Sequence, residues 1–190
     1  LIAAGHAYPC RCSRKDLQQA IQAPHEDTDD EPIYNGRCRP TSNALPLNPI
    51  TWDKSQNYRF RVPENEAITF TDSNFGPQRY VSGCDASVDF GDFLVWRKDG
   101  LPSYQLACVV DDAEMAITEV VRGADLLKST ARQILLQRSL SLSTPAYFHC
   151  NLMRDESGAR LAKRHDALSL RALREQGVTP EELRARLLAT

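Results

Sequence analysis

What this sequence lacks narrows its class before any motif is read. No apolar run approaches the ~18 residues of a membrane-spanning helix, so no span of that kind is expected. No segment combines a basic start with an apolar core of roughly ten residues, so no secretory signal is read and the cytoplasm is the expected compartment. There is no excess of positive charge: 23 Lys and Arg stand against 25 Asp and Glu, for a net charge of -2. A nucleic-acid partner therefore cannot be argued from global charge, and any basic surface must be local. Six cysteines in 190 residues are too sparse for a disulfide framework. Three of them, Cys10, Cys12 and Cys38, stand near the start and point to a metal instead. There is also no initial methionine. The opening LIAAGHAYPC reads as the last turn of a helix running into Gly5, so a fragment of a longer chain is expected.

Among the features that are present, residues 104–133 organise the rest. The apolar runs 106–110 and 117–121 are short and bounded by polar clusters, and both read as buried strands. The second runs into Arg122-Gly123, where glycine permits a sharp turn or a close approach to a ligand. Thr130 is a candidate N-cap with Gln133 at the capping-box spacing, and Ile134, Leu135 and Arg138 continue at helical spacing. An arginine where a strand meets a loop and helix lies where open α/β sheets bind ligands. It can grip a carboxylate or phosphate through a bidentate pair, or serve as a structural ion-pair partner.

Cys10-Arg11-Cys12, followed by Tyr34-Asn-Gly-Arg-Cys38, supplies three thiolates around a strong Asn35-Gly36 turn signal. Zinc takes four ligands, and Tyr34, His25 and His6 are the candidates for the fourth. Between the two halves of this motif, 13–23 reads as a short helix and the acidic HEDTDDEP stretch as a solvated loop. From Tyr58 the chain turns β-rich, with strands at 58–62, 67–71, 78–81 and 93–96. Arg59, Arg61 and Arg79 either contact phosphate or form the solvated face of these strands. Cys108, inside an apolar run, reads as a small core residue. Residues 146–152 read as another strand and 169–175 as a short helix stopped at Gly177. Thr179-Pro180-Glu181-Glu182 then reads as a capped helix start.

The block VVDDAEMAITEVVRGADLLKSTARQILL resembles the glutamyl branch of the class I aminoacyl-tRNA synthetases. GADLL, in place of the family's usual GEDHL, resembles the short queuosine-type members of that branch. In those members Cys-x-Cys…Tyr-x-x-x-Cys binds zinc, and Cys10, Cys12, Tyr34 and Cys38 match it residue by residue. Tyr104 and Arg122 match glutamate-binding positions. Arg160-Leu161-Ala162-Lys163-Arg164 matches the family's mobile KMSKS-type loop, with Arg160 in place of the first lysine and Ala162 in place of a serine. Lys163 is the cation expected to meet the phosphates of ATP.

The resemblance implies an α/β fold: the second half of a class I synthetase Rossmann-type nucleotide-binding domain, with a zinc-bearing stem and a β-rich insertion. The expected divisions are 1–45 for the stem, 46–103 for the insertion, and 104–190 for the catalytic half with its helical tail. The family's first nucleotide motif and its Arg-Phe-Ala-Pro-Ser segment are not in this sequence, so half of the active site is expected upstream. The implied activity is glutamate activation with ATP and Mg²⁺, then glutamyl transfer to the queuosine base of tRNA(Asp), by a monomer. Two alternatives stay open. One is the catalytic domain of an ordinary glutamyl-tRNA synthetase; the other is a zinc-stabilised RNA-binding module without catalysis.

Overall fold

Two β-sheets carry the first 150 residues of this computed structural model, which describes residues 1–12, 33–41, 51–85, 87–153 and 170–188. The expected helix at 13–23, His25 and its acidic stretch, and the whole loop Arg160–Arg164 with Lys163 lie outside the described residues.

The first sheet is antiparallel and three-stranded, in the order β1-β2-β5, with β1 Ala7–Cys10, β2 Asn57–Phe60 and β5 Phe93–Trp96. The second has the order β4-β3-β7-β6, with β3 Glu66–Asp72, β4 Gly76–Ser82, β6 Glu119–Gly123 and β7 Ala146–Cys150. β3 and β4 form an antiparallel hairpin, while β7 runs parallel to both β3 and β6. Two strands from the stretch 46–103 thus share one sheet with two strands from 104–190, so the boundary drawn at 103 does not separate the sheets. Helices α1 (Tyr104–Glu114) and α2 (Leu127–Ser139) pack on each other, α1 also on β5 and α2 on β3. One core joins these elements: Tyr58, Phe60, Ile68, Phe93 and Val95 of the strands meet Val109 of α1 and Ala131, Ile134, Leu135 and Leu136 of α2.

Several expectations need correction. Residues 117–121 are not a buried strand: the strand runs over Glu119–Gly123, with Val121 61% exposed. Residues 106–110 are not a strand but the middle of α1. A five-residue apolar run fits a buried helix segment as well as a strand. Here Val109 faces the core, the neighbouring residues are half-buried, and Gln105 Nε2 donates to Ser129 Oγ of α2 at 3.0 Å. Thr130 is not an N-cap, because α2 begins at Leu127, after a 3₁₀ turn over Ala124–Leu126. Its hydroxyl donates back to Leu126 O at 3.3 Å, one turn earlier. Finally, Arg59 is neither solvated nor available to phosphate. It is 4% exposed and turned into the molecule.

The opening residues do close as a helix end. His6 N–H bonds to Leu1 O at 2.9 Å and Gly5 N–H to Ile2 O at 3.0 Å, with Gly5 at φ +73°. This is the Schellman pattern, and the same pair of bonds ends α1 at Ala116 and α2 at Ser141.

Residues 151–190 form a separate unit. Its helices α3 (Leu170–Glu175) and α4 (Pro180–Leu188) fall where the sequence puts them. Gly177 closes α3 at φ +83°. Thr179 and Glu182 complete the capping box, with Glu182 N–H on Thr179 Oγ1 at 3.2 Å and Thr179 N–H on Glu182 Oε2 at 2.9 Å.

Candidate functional site

Arg122 sits near the carboxyl end of β6, in register with His149 of β7. Its Nη2 donates to Thr130 Oγ1 at 2.7 Å and its Nε to His149 Nε2 at 3.1 Å. The guanidinium carbon stands 5.5 Å from the centre of the Tyr147 ring, a cation–π arrangement. Tyr104, the first residue of α1, is half exposed, and its phenol is near enough to Arg122 and Cys108 to feel both electrostatically. Burial, then Cys108, push this phenol above its ordinary range, while Arg122 opposes them. It therefore stays protonated, able to donate to a ligand. Cys108 is half-buried beside Tyr104 rather than deep in the core. The structure thus brings Tyr104 and Arg122 together, one from a helix start and one from a strand end.

Two residues that sequence reasoning missed stand behind Arg122. His149 is fully buried, and its Nδ1 lies 2.6 Å from Asp72 Oδ2. Burial alone would raise the Asp72 carboxyl. The bonds it accepts from His149 and from the backbone N–H groups of Phe75 and Asn74 outweigh that and hold it at about 2. Neither residue carries a sequence signal, since no motif spacing links them and the two meet only through the parallel pairing of β3 with β7.

The cysteine cluster lies elsewhere in the first unit. β1 carries Cys10, with Cys12 just beyond it, and the Asn35-Gly36 turn, with Gly36 at φ +73°, returns the chain so that Tyr34 and Cys38 join them. The three sulfurs lie within 4.8 Å of one another. Cys12 Sγ stands 3.7 Å from Cys38 Sγ, and Tyr34 Oη stands 3.5 Å from both Cys10 Sγ and Cys12 Sγ. A tetrahedral zinc bound at about 2.3 Å to sulfur and about 2.0 Å to oxygen would set its ligands about 3.8 Å apart for sulfur pairs and about 3.5 Å apart for sulfur and oxygen. The donors fit that metal in number, and the separations of Cys12 from Cys38 and of Tyr34 from Cys10 and Cys12 fit its spacing. His6 is not among them; it stacks on Phe60, with ring centroids 6.2 Å apart.

A buried shell supports the cluster. Arg59 Nε donates to Cys10 Sγ at 3.4 Å, and its guanidinium lies 4.1 Å from the centre of the Tyr34 ring. Its Nη1 donates to Asp92 O at 2.9 Å, and the Asp92 carboxylate takes bonds from Arg39, Tyr8 and Val62 N–H. Burial raises the Cys38 thiol, but hydrogen bonds led by Tyr34 and the Arg11 backbone outweigh it and bring it to about 7. Gly91 completes the shell: a Cβ there would come within 3.3 Å of Tyr34 N and 3.2 Å of Gly83 O. Of these residues, only Arg59 was singled out from the sequence, and for a different role.

Comparison with known proteins follows from these sites. Residues 1–189 match the family described as tRNA synthetases class I (E and Q), catalytic domain. The chain is 46% identical over 181 residues to the glutamyl-Q tRNA(Asp) synthetase of Symbiobacterium thermophilum, covering 95% of this chain and 54% of that protein. It is 48% identical over 175 residues to the enzyme of the same name from Geobacter sulfurreducens, covering 92% of this chain and 52% of that one. The chain therefore spans about half the length of these curated relatives. Among solved structures, the glutamate-tRNA synthetase of Elizabethkingia anophelis is similar at a TM-score of 0.50 and 30% identity, over 57% of this chain and 21% of that one. With a match of this extent, and with an arginine at a strand end and a three-cysteine cluster where the motifs put them, the chain belongs to the catalytic-domain family of the class I tRNA synthetases for E and Q.

Proposed function

We propose that this chain is the second half of a ligase that activates glutamate with ATP and passes the glutamyl group to the queuosine base of tRNA(Asp). The observation that carries the reading is the pairing of Arg122 with Tyr104. A fixed cation and a neutral phenolic donor, side by side at the end of a parallel strand, suit a carboxylate substrate.

In the first step the α-carboxylate of glutamate attacks the α-phosphorus of ATP. The bond to the β-phosphate bridging oxygen breaks, giving glutamyl-adenylate and pyrophosphate. Mg²⁺ enters with ATP as its substrate complex. Arg122 pairs with a carboxylate of glutamate, and Tyr104 supplies a hydroxyl and one wall. Lys163 meets the charge that builds on the phosphates, an interaction stronger in the transition state than in the ground state. In the second step a queuosine hydroxyl attacks the activated carbonyl and AMP leaves. The queuosine acceptor is supported by the names of the relatives and by the GADLL form of the block. Cys10, Cys12, Tyr34 and Cys38 hold one structural zinc, which ties β1 to the 33–41 segment and takes no part in the chemistry.

Glutamate-dependent exchange of pyrophosphate into ATP by the intact protein tests this reading. Arg122→Ala is expected to raise KM for glutamate about 10- to 150-fold, the loss of one charge-assisted pair. Lys163→Ala is expected to lower kcat more than it raises KM. If Arg122→Ala leaves glutamate saturation unchanged in a folded variant, the reading fails.

A further inference from the structure

Two polar contacts fix the protonation of the His149 ring, and the third, Thr130 Oγ1 at 3.2 Å from Nε2, follows the tautomer they select. Arg122 Nε can only donate, so His149 Nε2, 3.1 Å away, must hold a lone pair. The ring proton is therefore on Nδ1 and is donated to Asp72 Oδ2 at 2.6 Å. The carboxylate is held in turn: its Oδ1 accepts the backbone N–H of Asn74 at 3.1 Å and of Phe75 at 2.9 Å. Its Oδ2 also accepts the N–H of His149 itself at 3.1 Å. On the same edge of the guanidinium, Thr130 Oγ1 takes the Nη2 bond at 2.7 Å beside His149 Nε2.

We propose that Asp72 and His149 form a buried relay that fixes the orientation of Arg122, so that its Nε edge is held inward and Nη1 is left for a carboxylate of the substrate. Both are positioning residues that touch no ligand. The relay works through the imidazole tautomer: Asp72 demands the proton on Nδ1, and that leaves Nε2 as the acceptor Arg122 needs. An arginine on a flexible stem loses conformational freedom when it grips a ligand, and orienting it beforehand removes that loss from the binding step. Asp72 belongs to β3, so the hairpin between the two sequence halves takes part in substrate recognition through a single parallel bridge to β7. The inference deepens the proposed function and rests on Arg122 as the carboxylate-binding group.

Asp72→Asn in the intact protein tests it. The two backbone N–H groups on Oδ1 select the amide oxygen for that position, which leaves the NH₂ facing Nδ1 as a donor. The imidazole must then carry its proton on Nε2 and oppose Arg122 Nε donor to donor, a tautomer error of the kind that disables a catalytic triad when its aspartate becomes asparagine. Nitrogen-15 NMR is expected to find His149 with Nδ1–H in the wild type and Nε2–H in Asp72→Asn. KM for glutamate is expected to rise about tenfold or more, with KM for ATP little changed. His149→Gln, whose side chain can reach the Nε2 position with an acceptor oxygen, is expected to retain most of the glutamate affinity that His149→Leu loses.

Wild-type His149 in the Nε2–H form overturns the relay, whether or not any variant folds. If Asp72→Asn is folded and leaves KM for glutamate unchanged while Arg122→Ala raises it, the relay is overturned and the reading of Arg122 survives. If neither variant changes it, both fall.

Discussion

The backbone N–H of Cys38 donates to the phenol oxygen of Tyr34 at 2.8 Å across the Asn35-Gly36 turn. The bond aims the oxygen at the sulfurs of Cys10 and Cys12 and favours its deprotonated form once a cation is bound. In the metal-free cluster, burial and the bonds with Cys38, Cys10 and Cys12 push the phenol above its ordinary range, so deprotonation depends on the metal. Elemental analysis of protein purified without chelators should give about one zinc per chain. Tyr34→Phe keeps three thiolates but should weaken zinc retention in a chelator competition by more than the ~10-fold lower bound typical of outer-shell partners. Three freely titrating thiols and no zinc would contradict the assignment.

Three thiolates and a phenolate around one zinc would leave an excess of negative charge, and Arg59 is a buried cation placed to face it, through Cys10 and the Tyr34 ring. Arg59→Met preserves the apolar stem and removes the charge. It should lower zinc affinity roughly 10- to 100-fold, the usual range for a second partner behind a ligand. The absorption of a cobalt-substituted sample should shift as well, because the donor to Cys10 is lost. Unchanged affinity and spectrum in a folded variant would assign Arg59 to packing alone.

Asp72 makes the stability of the first unit depend on pH. Its folded carboxyl is held at about 2, against an ordinary value of 3.8. Since the folded value is the lower, the unfolded chain takes up the proton first as pH falls. The contribution is complete above the ordinary value and is lost as pH descends toward the folded one. Asp72→Asn should therefore flatten the acid limb of stability in that interval while lowering stability at neutral pH. Urea unfolding at a series of pH values checks this, and an acid limb identical to that of the wild type would contradict it.

Local signals carried much of this structure in the sequence. The Asn35-Gly36 turn, the alternating strands β3 and β4, and the Thr179–Glu182 capping box each depend on neighbours a few residues apart, and each is found where the pattern puts it. Contacts between distant segments were not legible. The apolar stretch around Val109 is helical because α2 and β5 cover it, which no window of five residues reports. Arg59 occupies the polar phase of an alternating strand yet points inward, because Cys10, Tyr34 and Asp92 together offer a buried cation its partners. Asp72 and His149 meet across strands that are adjacent only in the folded sheet. Arg122 was legible from its place at the end of an apolar run before a glycine, whereas Tyr104 was found through family resemblance; composition and spacing alone would have left it an unremarked aromatic.

The acceptor of the glutamyl group tests the central claim most directly. The intact protein, ATP and labelled glutamate should be incubated with tRNA(Asp) that carries queuosine, with the same tRNA lacking queuosine, and with tRNA(Glu). Label fixed to the queuosine-containing tRNA(Asp), and to neither of the others, is the predicted result. Label on the terminal adenosine of tRNA(Glu) would contradict it and make the protein an ordinary glutamyl-tRNA synthetase. No label on any of the three, with zinc bound and the protein folded, would leave an RNA-binding module without catalysis.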